Sequence, residues 1–441
     1  MLSTIERGVF SEPEKPLMEW DVLDYYGYTP MFFLHQNAKK KVWNSPRLPH
    51  IIYYYENEKP HKMTMGMGLL YSPAFLIAHA MAPVFGYPAD GLSRPYQWAV
   101  HLSLYPYLLL GWWALFGWLN MLGYKHYLSI VAAGMVLLGT NLYYYTVDEP
   151  AMTHAFSFSL VSLMLYLSGR WFKENHRKWV FGSAFVLGII VLVRPVNALL
   201  IALIPLNGLL FFDGKQLFGF FRKQHKAILI ATIIGLLSVF PQFLYWKLGF
   251  GSWFVYSYGE ERFFWSNPKV MEGLFSFRKG WFLYTPLAVF MFIGFFNQSR
   301  RIVLWSALFV SVFFYVAFSW WCWWYGGAYS QRVIIDVYPW LTLGLVGGMT
   351  LWMKSRWRWP ISATLVVLVA YNLFTTYQYR VKLIHDDANT PCSLKHNFLR
   401  VNPEPQDWWE MLYYPDYTAA KAQEEIYPPA EGWSSFCHSR K

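Results

Sequence analysis

Apolar residues are unevenly spread along the chain. They gather in blocks close to the roughly 20 residues that a helix needs to cross a bilayer. The blocks predict ten spans, at about 98–122, 127–147, 150–169, 179–194, 196–212, 227–246, 281–298, 302–321, 333–353 and 359–379. The fourth and fifth are short and meet at Arg194-Pro195. Proline disfavours helix in the residue before it, so this pair reads as a helical hairpin. Residues 67–85 are apolar too, but carry Pro73, His79 and Pro83. They read as an interfacial or re-entrant helix pair, with a further span as the alternative.

The polar connections between blocks sort by charge. One set is basic: Lys125, then the stretch from Arg170 to Lys178, then Lys215 to Lys226, then Arg300 and Arg301, then Lys354 to Arg358. The other is acidic: Asp90, then Asp148 and Glu149, then Glu260, Glu261 and Glu272, then Asp336. The two sets alternate strictly. Lys and Arg collect on the cytoplasmic side of membrane proteins, which puts the acidic set outside. The expected organisation is an outer first loop with juxtamembrane helices (1–97), a transmembrane helical domain (98–379) with an outer loop at 247–280, and an outer cap rich in Trp, Tyr and Pro (380–441). If 67–85 spanned instead, the acidic stretch before it would move to the cytoplasm.

Composition narrows the class. Only 14% of the 441 residues are charged, against about 25% in soluble domains. A hydrophobic share of 55% excludes a disordered chain, and three cysteines exclude a disulfide scaffold. The net charge of +11 would suggest nucleic acid in a soluble protein. Here cytoplasmic loops account for it, and no nucleic-acid partner is expected. The N-terminus has no apolar core of signal-peptide length. An outer N-terminus without a leading helix points to a helix encoded before residue 1. Cys392 and Cys437 both fall in the outer tail, where they either pair or stay free thiols.

Three constellations can carry chemistry. Asp21 and Asp24 stand three apart, on one face of a helix, among Trp20, Tyr25, Tyr26 and Tyr28. A carboxylate set among aromatics can act as a general base, although a helix start explains the spacing equally. Asp148 and Glu149 precede Pro150, which suits the first turn of the next helix. A helix start does not explain His154, an ionisable group placed inside a span. Arg194, Arg278, Lys279 and Arg332 break the charge rule by lying on the outer side. Arginine suits an anionic head group because its fork donates two parallel bonds. Gly326 and Gly327, just before Arg332, permit a close backbone approach. The aromatic run from Phe250 to Trp265 exceeds what an interfacial belt needs and can form a sugar or lipid groove. No His–carboxylate spacing is decisive for a metal, so no metal ligands are assigned and a divalent ion stays open.

Together these residues resemble glycosyltransferases of the GT-C superfamily, which includes protein O-mannosyltransferases and aminoarabinose transferases. The similarity is to a bacterial branch with a WD-x-x-x-YY-x-Y-x-P pattern, matched by Trp20, Asp21, Tyr25, Tyr26, Tyr28 and Pro30. Lys62–Gly66, Tyr71-Ser72-Pro73, Glu149–His154, Arg194-Pro195, Arg278-Lys279-Gly280 and Tyr325–Asp336 also look like features of that branch. The resemblance implies an all-α polytopic bundle lacking the family's usual first helix, in a bacterial inner membrane. It implies transfer of a sugar from a polyprenyl-phosphate donor on the periplasmic face. Asp21 would be the base, with Asp24 its rival. Arg332, then Arg194, Lys279 and Arg278, would hold the donor phosphate; Asp148, Glu149 and His154 would orient substrate. The expected partners are the lipid-linked donor, a lipid, glycan or protein acceptor, and membrane lipids. A transporter or flippase of lipid-linked sugars is the rival, and should show an internal repeat and ionisable groups near the midplane; the chain shows no repeat.

Overall fold

The structure is a computed structural model that describes residues 18, 20–35, 42–43, 53–54, 60–425, 427–428 and 432–439. Glu19 and most of the first 59 residues lie outside the described residues. The fold is helical, and among the described residues strands are confined to Val42–Trp43 paired antiparallel with Tyr53–Tyr54. Five helices are long and apolar enough to cross a membrane: Arg94–Met121, His225–Phe250, Arg300–Phe318, Arg332–Trp352 and Arg358–Arg380. Other expected spans form shorter helices, such as His126–Leu138 with 13 residues, Arg177–Val193 with 17 and Leu287–Phe295 with 9. Thr153–Glu174 has the length, 22 residues, but its serines make it more polar.

Contacts divide the chain into two compact units, Met1–Leu122 with Tyr145–Gly259, and Gly123–Tyr144 with Glu260–Lys441. The stretch 247–280, expected as one outer loop, is divided between the units at Gly259.

In the first unit, Thr153–Glu174 is the central helix and is buried along most of its length. Three of its serines are compatible with burial because they bond back into the helix, Ser159 to the Ala155 carbonyl and Ser162 to that of Phe158, both at 2.8 Å, and Ser168 to that of Leu165 at 3.2 Å. Gly111 and Gly117 on Leu104–Met121 lie against Ser159 and Tyr166, where a Cβ would collide. Small residues let helices approach closely where the surrounding lipid gives no hydrophobic drive. Asn207 acts as polar glue, bonding the Leu165 carbonyl and Ser168 at 2.8 Å and accepting from the Trp118 indole at 2.9 Å.

The expected hairpin breaks where the sequence indicates. Helix Arg177–Val193 stops, Arg194 is extended, and Pro195 opens a 3-10 run to Ala202 followed by Leu203–Gly208. The second arm is therefore not one α-helix: Pro205 has no N–H for the Ile201 carbonyl. Residues 67–85 form one helix, Gly66–Met81, and a 3-10 turn, Pro83–Phe85, instead of a helix pair.

In the second unit, the candidate span Arg332–Trp352 is buried from Val333 to Met349. Leu287–Phe295 packs on it through Gly294 and Gly344, whose backbones leave no room for a Cβ. Asn372 donates to the carbonyls of Leu138 and Thr140 at 2.9 Å, fixing His126–Leu138 to Arg358–Arg380. The tail forms a small cap. Ala388, Trp408 and Leu412 make its core, and Cys392 and Cys437 are joined in a disulfide.

Candidate functional site

The acidic aromatic motif folds as a short helix, Asp21–Tyr26, continued by Tyr28–Pro30. Trp20 precedes it, exposed and at a φ of +48°. Tyr25, Tyr26, Tyr28 and Pro30 are buried, so most of the pattern serves to seat the turn. The two acids separate. Asp21 is half-buried, whereas Asp24 is 3% exposed. Asp24 faces a residue that the sequence reading missed: His61 Nδ1 lies 3.6 Å from Asp24 Oδ1. That is ion-pair range and too long for a hydrogen bond.

The His61 ring stacks on Tyr28 at 4.1 Å, and its backbone N–H donates to Tyr245 Oη at 3.4 Å. Tyr28 Oη donates to the Met63 carbonyl at 2.8 Å. Gln242 accepts from the Met65 N–H at 2.8 Å. Gly27 is required here, because a Cβ would run into the His61 imidazole. Only the position of His61 beside the Lys62–Gly66 motif pointed to it.

The neighbouring motifs join the same unit. Gly66 packs directly on the backbone of Leu192 and Val193, one residue before half-buried Arg194. Tyr71 Oη donates to the Ala151 carbonyl, tying helix Gly66–Met81 to the turn that carries Asp148 and Glu149. Pro150 sits in that turn instead of the first helical turn, since the helix begins at Thr153. Asp148 is buried and Glu149 half-buried. His154 is the second residue of the helix, 3% exposed, with its ring edge-on to Tyr145 at 5.0 Å. The expected position one turn into a span therefore becomes a helix start.

The second unit holds Arg278, Lys279 and Arg332, the other cations expected on the outer side. Arg332 is half-buried and opens the 3-10 turn Arg332–Val337, in which Asp336 is fully buried. The loop before it turns sharply, with Tyr325, Gly326 and Ser330 all at positive φ. Lys279 pins this loop: its ammonium donates to the Gly326 carbonyl at 3.1 Å and to that of Ala328. Burial lowers the Lys279 pKa to about 7, opposed by Asp387 and Asp386 and reinforced by Arg332.

Arg278 is fully buried and caged. Its Nη1 meets Glu425 Oε1 at 2.8 Å, and its guanidinium carbon lies 4.8, 4.9 and 5.6 Å from the ring centres of Trp324, Tyr427 and Trp323.

Beside Lys279 runs His385-Asp386-Asp387, a cluster not anticipated from sequence. His385 Nδ1 is 2.9 Å from Asp386 and 3.4 Å from Asp387, and Asp387 accepts from Tyr417 Oη at 2.7 Å. Burial pulls the imidazole down, but the two carboxylates outweigh it and raise its pKa; the same hydrogen bond holds Asp386 well below the carboxylate range. One ligand atom from each of the three lies within 4.8 Å of the others. The histidine–carboxylate contacts account for this cluster without an ion.

No family model, curated protein or solved structure matches the chain.

Proposed function

We propose that the protein is an integral membrane glycosyltransferase, moving a sugar from a polyprenyl-phosphate donor to an acceptor hydroxyl on the periplasmic side of a bacterial inner membrane. One observation carries the reading. Four segments far apart in sequence meet in the first unit: the turn Asp21–Pro30, the stretch from His61 to Tyr71, the turn before Thr153, and the break at Arg194. These are segments of the GT-C resemblance, and together they hold four carboxylates (Asp21, Asp24, Asp148 and Glu149) and two cations (Lys62 and Arg194) in or beside the turns.

In this reading Asp21 is the general base. It is partly exposed, while Asp24 is sealed against His61 and acts as a positioning group. The acceptor oxygen bonds to the anomeric carbon as its proton passes to the Asp21 carboxylate. The bond from that carbon to the phosphate oxygen breaks, and its electron pair leaves on the lipid phosphate. Configuration inverts. A phosphate leaving group needs positive charge more than it needs a proton donor.

Arg194, in the same unit as Asp21, is the candidate; Arg332, placed first by the resemblance, lies in the second unit. Lys279 is engaged by backbone carbonyls and Arg278 by Glu425, which favours structural roles for both. Asp148, Glu149 and His154 orient the acceptor or the phosphate. The ten spans with alternating loop charge belong to the same proposal, and the Cys392–Cys437 bond supports an oxidising, outer location for the tail.

The test uses vesicles containing the protein, a polyprenyl-phosphate sugar labelled in the sugar, and a membrane glycan and lipid extract as acceptor. The expected result is free polyprenyl phosphate with the label moved to an acceptor. Movement of intact donor between leaflets, with its phosphate–sugar bond unbroken, would refute transfer and favour a flippase.

A further inference from the structure

The first unit also carries a strongly basic surface that the proposed reaction does not use. Two turns build it. One joins helix Thr153–Glu174 to helix Arg177–Val193, and the other joins helix Gly214–Lys223 to helix His225–Phe250. The Gln224 amide in the second turn donates to the Asn175 side-chain oxygen in the first, so the turns lie side by side.

Residues 170–178 and 213–226 hold eight Lys and Arg against two acids. Both acids are committed. Glu174 pairs with Arg170 and accepts from the Trp179 indole at 2.7 Å. Asp213 caps helix Gly214–Lys223, accepting from the Gln216 N–H at 2.8 Å. The other seven cations are exposed, and none has an ion pair among the described residues. Like charges crowded into adjoining turns repel one another, and an anionic partner offsets that repulsion.

Basic turns are ordinary in a membrane protein. An exposed ring among them is not explained by that rule. Helix Gly214–Lys223 turns Leu217, Phe220 and Phe221 inward, with the Phe220 ring 5.0 Å from Trp171 and 5.5 Å from Phe172. Lys215, Phe218 and Arg222, three and four residues apart, form an outward stripe. Phe218 is 71% exposed. An outward ring flanked by cations suits a helix lying in a membrane surface, its charges among the head groups and its ring at the acyl boundary. The chain places the helix accordingly, because His225–Phe250, which follows it, is long and apolar enough to cross a membrane.

We propose that this surface binds the head groups of anionic phospholipids, with Phe218 entering the acyl boundary beside them. An acidic protein segment would satisfy the charges but would not explain a bare ring next to a candidate span. The binding does not depend on sugar transfer.

The test titrates the full chain in detergent with phosphatidylglycerol or phosphatidylcholine and counts bound lipid by native mass spectrometry. Phosphatidylglycerol should bind more tightly, and added salt should narrow the difference. Lys215→Gln with Arg222→Gln should weaken phosphatidylglycerol about twenty-five-fold, at about fivefold per charge, and leave phosphatidylcholine unchanged. Both positions are exposed and glutamine is a good helix former, so the fold is kept. Phe218→Ser should also weaken phosphatidylglycerol, a loss that charge alone does not produce. Lys354→Gln with Arg356→Gln removes the same charge from an exposed turn of the second unit and should keep the preference. An equal loss in both double variants, phosphatidylcholine bound as tightly as phosphatidylglycerol, or no effect of Phe218→Ser would overturn the proposal. Polyglutamate bound in place of phosphatidylglycerol would give the surface to an acidic protein segment and overturn it too.

Discussion

Removing the Glu425 carboxylate should open the tail locally. The Arg278 guanidinium is fully buried, and the Glu425 side chain is 8% exposed, 2.8 Å away. Glu425→Ala leaves a buried cation without its counter-ion, which costs about 3–5 kcal/mol in comparable cases. A buried lysine can escape by losing its proton, but arginine cannot. The rings of Trp323, Trp324 and Tyr427 remain and offset part of the loss, about 1–2 kcal/mol in all. A net loss of ~2–3 kcal/mol follows, or about thirtyfold to one-hundred-and-fiftyfold in the local opening equilibrium. Glu425→Gln keeps an acceptor and should cost less. Arg278→Met combined with Glu425→Ala removes both charges and should be milder than Glu425→Ala alone. Hydrogen exchange of peptides covering 423–437, in lipid nanodiscs, reads the effect. Protection unchanged by Glu425→Ala, or a double variant worse than the single, would refute the reasoning.

Lys279 should impose a pH dependence on stability. Its folded pKa of about 7 lies below the ordinary lysine value of 10.5, so the unfolded chain binds more protons between those limits. Stability should rise with pH from about 7 upward, by up to ~1.4 kcal/mol per unit, and Lys279→Met should flatten the slope in melts from pH 6.5 to 9; an equal slope in both would contradict the assignment. The Cys392–Cys437 bond closes a 45-residue separation, worth about 4 kcal/mol by loop entropy. Cys392→Ser with Cys437→Ser should expose the tail to limited proteolysis while leaving the long helices resistant. Gly27→Ala should drive the His61 ring off Tyr28 and Asp24 at about 1–3 kcal/mol of overpacking, lowering the melting temperature and, under the transferase reading, turnover. A variant with unchanged stability would show that the ring has room to move.

The helical class and the break at Arg194 were legible from sequence because hydropathy blocks and proline act locally. The count of long spans was not. Thr153–Glu174 buries serines of which Ser159, Ser162 and Ser168 bond back within the helix, and Leu287–Phe295 is short because Thr285, before Pro286, leaves the helix and the chain turns again after Phe295. Apolar blocks report burial, and burial in protein and in lipid look alike in sequence. The acidic motif was visible as spacing, but its sorting into a sealed Asp24 and an accessible Asp21 depends on His61, which is 37 residues farther along the chain. The cations expected on the outer side stood out in the sequence as exceptions to the charge rule. Their partners were hidden because Glu425 and the Gly326 and Ala328 carbonyls are joined to Arg278 and Lys279 by folding alone.

The central claim is that Asp21 deprotonates an acceptor during transfer from a polyprenyl-phosphate sugar. It is tested most directly by measuring polyprenyl phosphate released per labelled sugar transferred, for the wild type and for Asp21→Asn, in the same vesicles with matched folded protein. The account predicts one-to-one release in the wild type and loss of both signals in Asp21→Asn. Transfer undiminished in the variant, or no release above protein-free vesicles in the wild type, would contradict it.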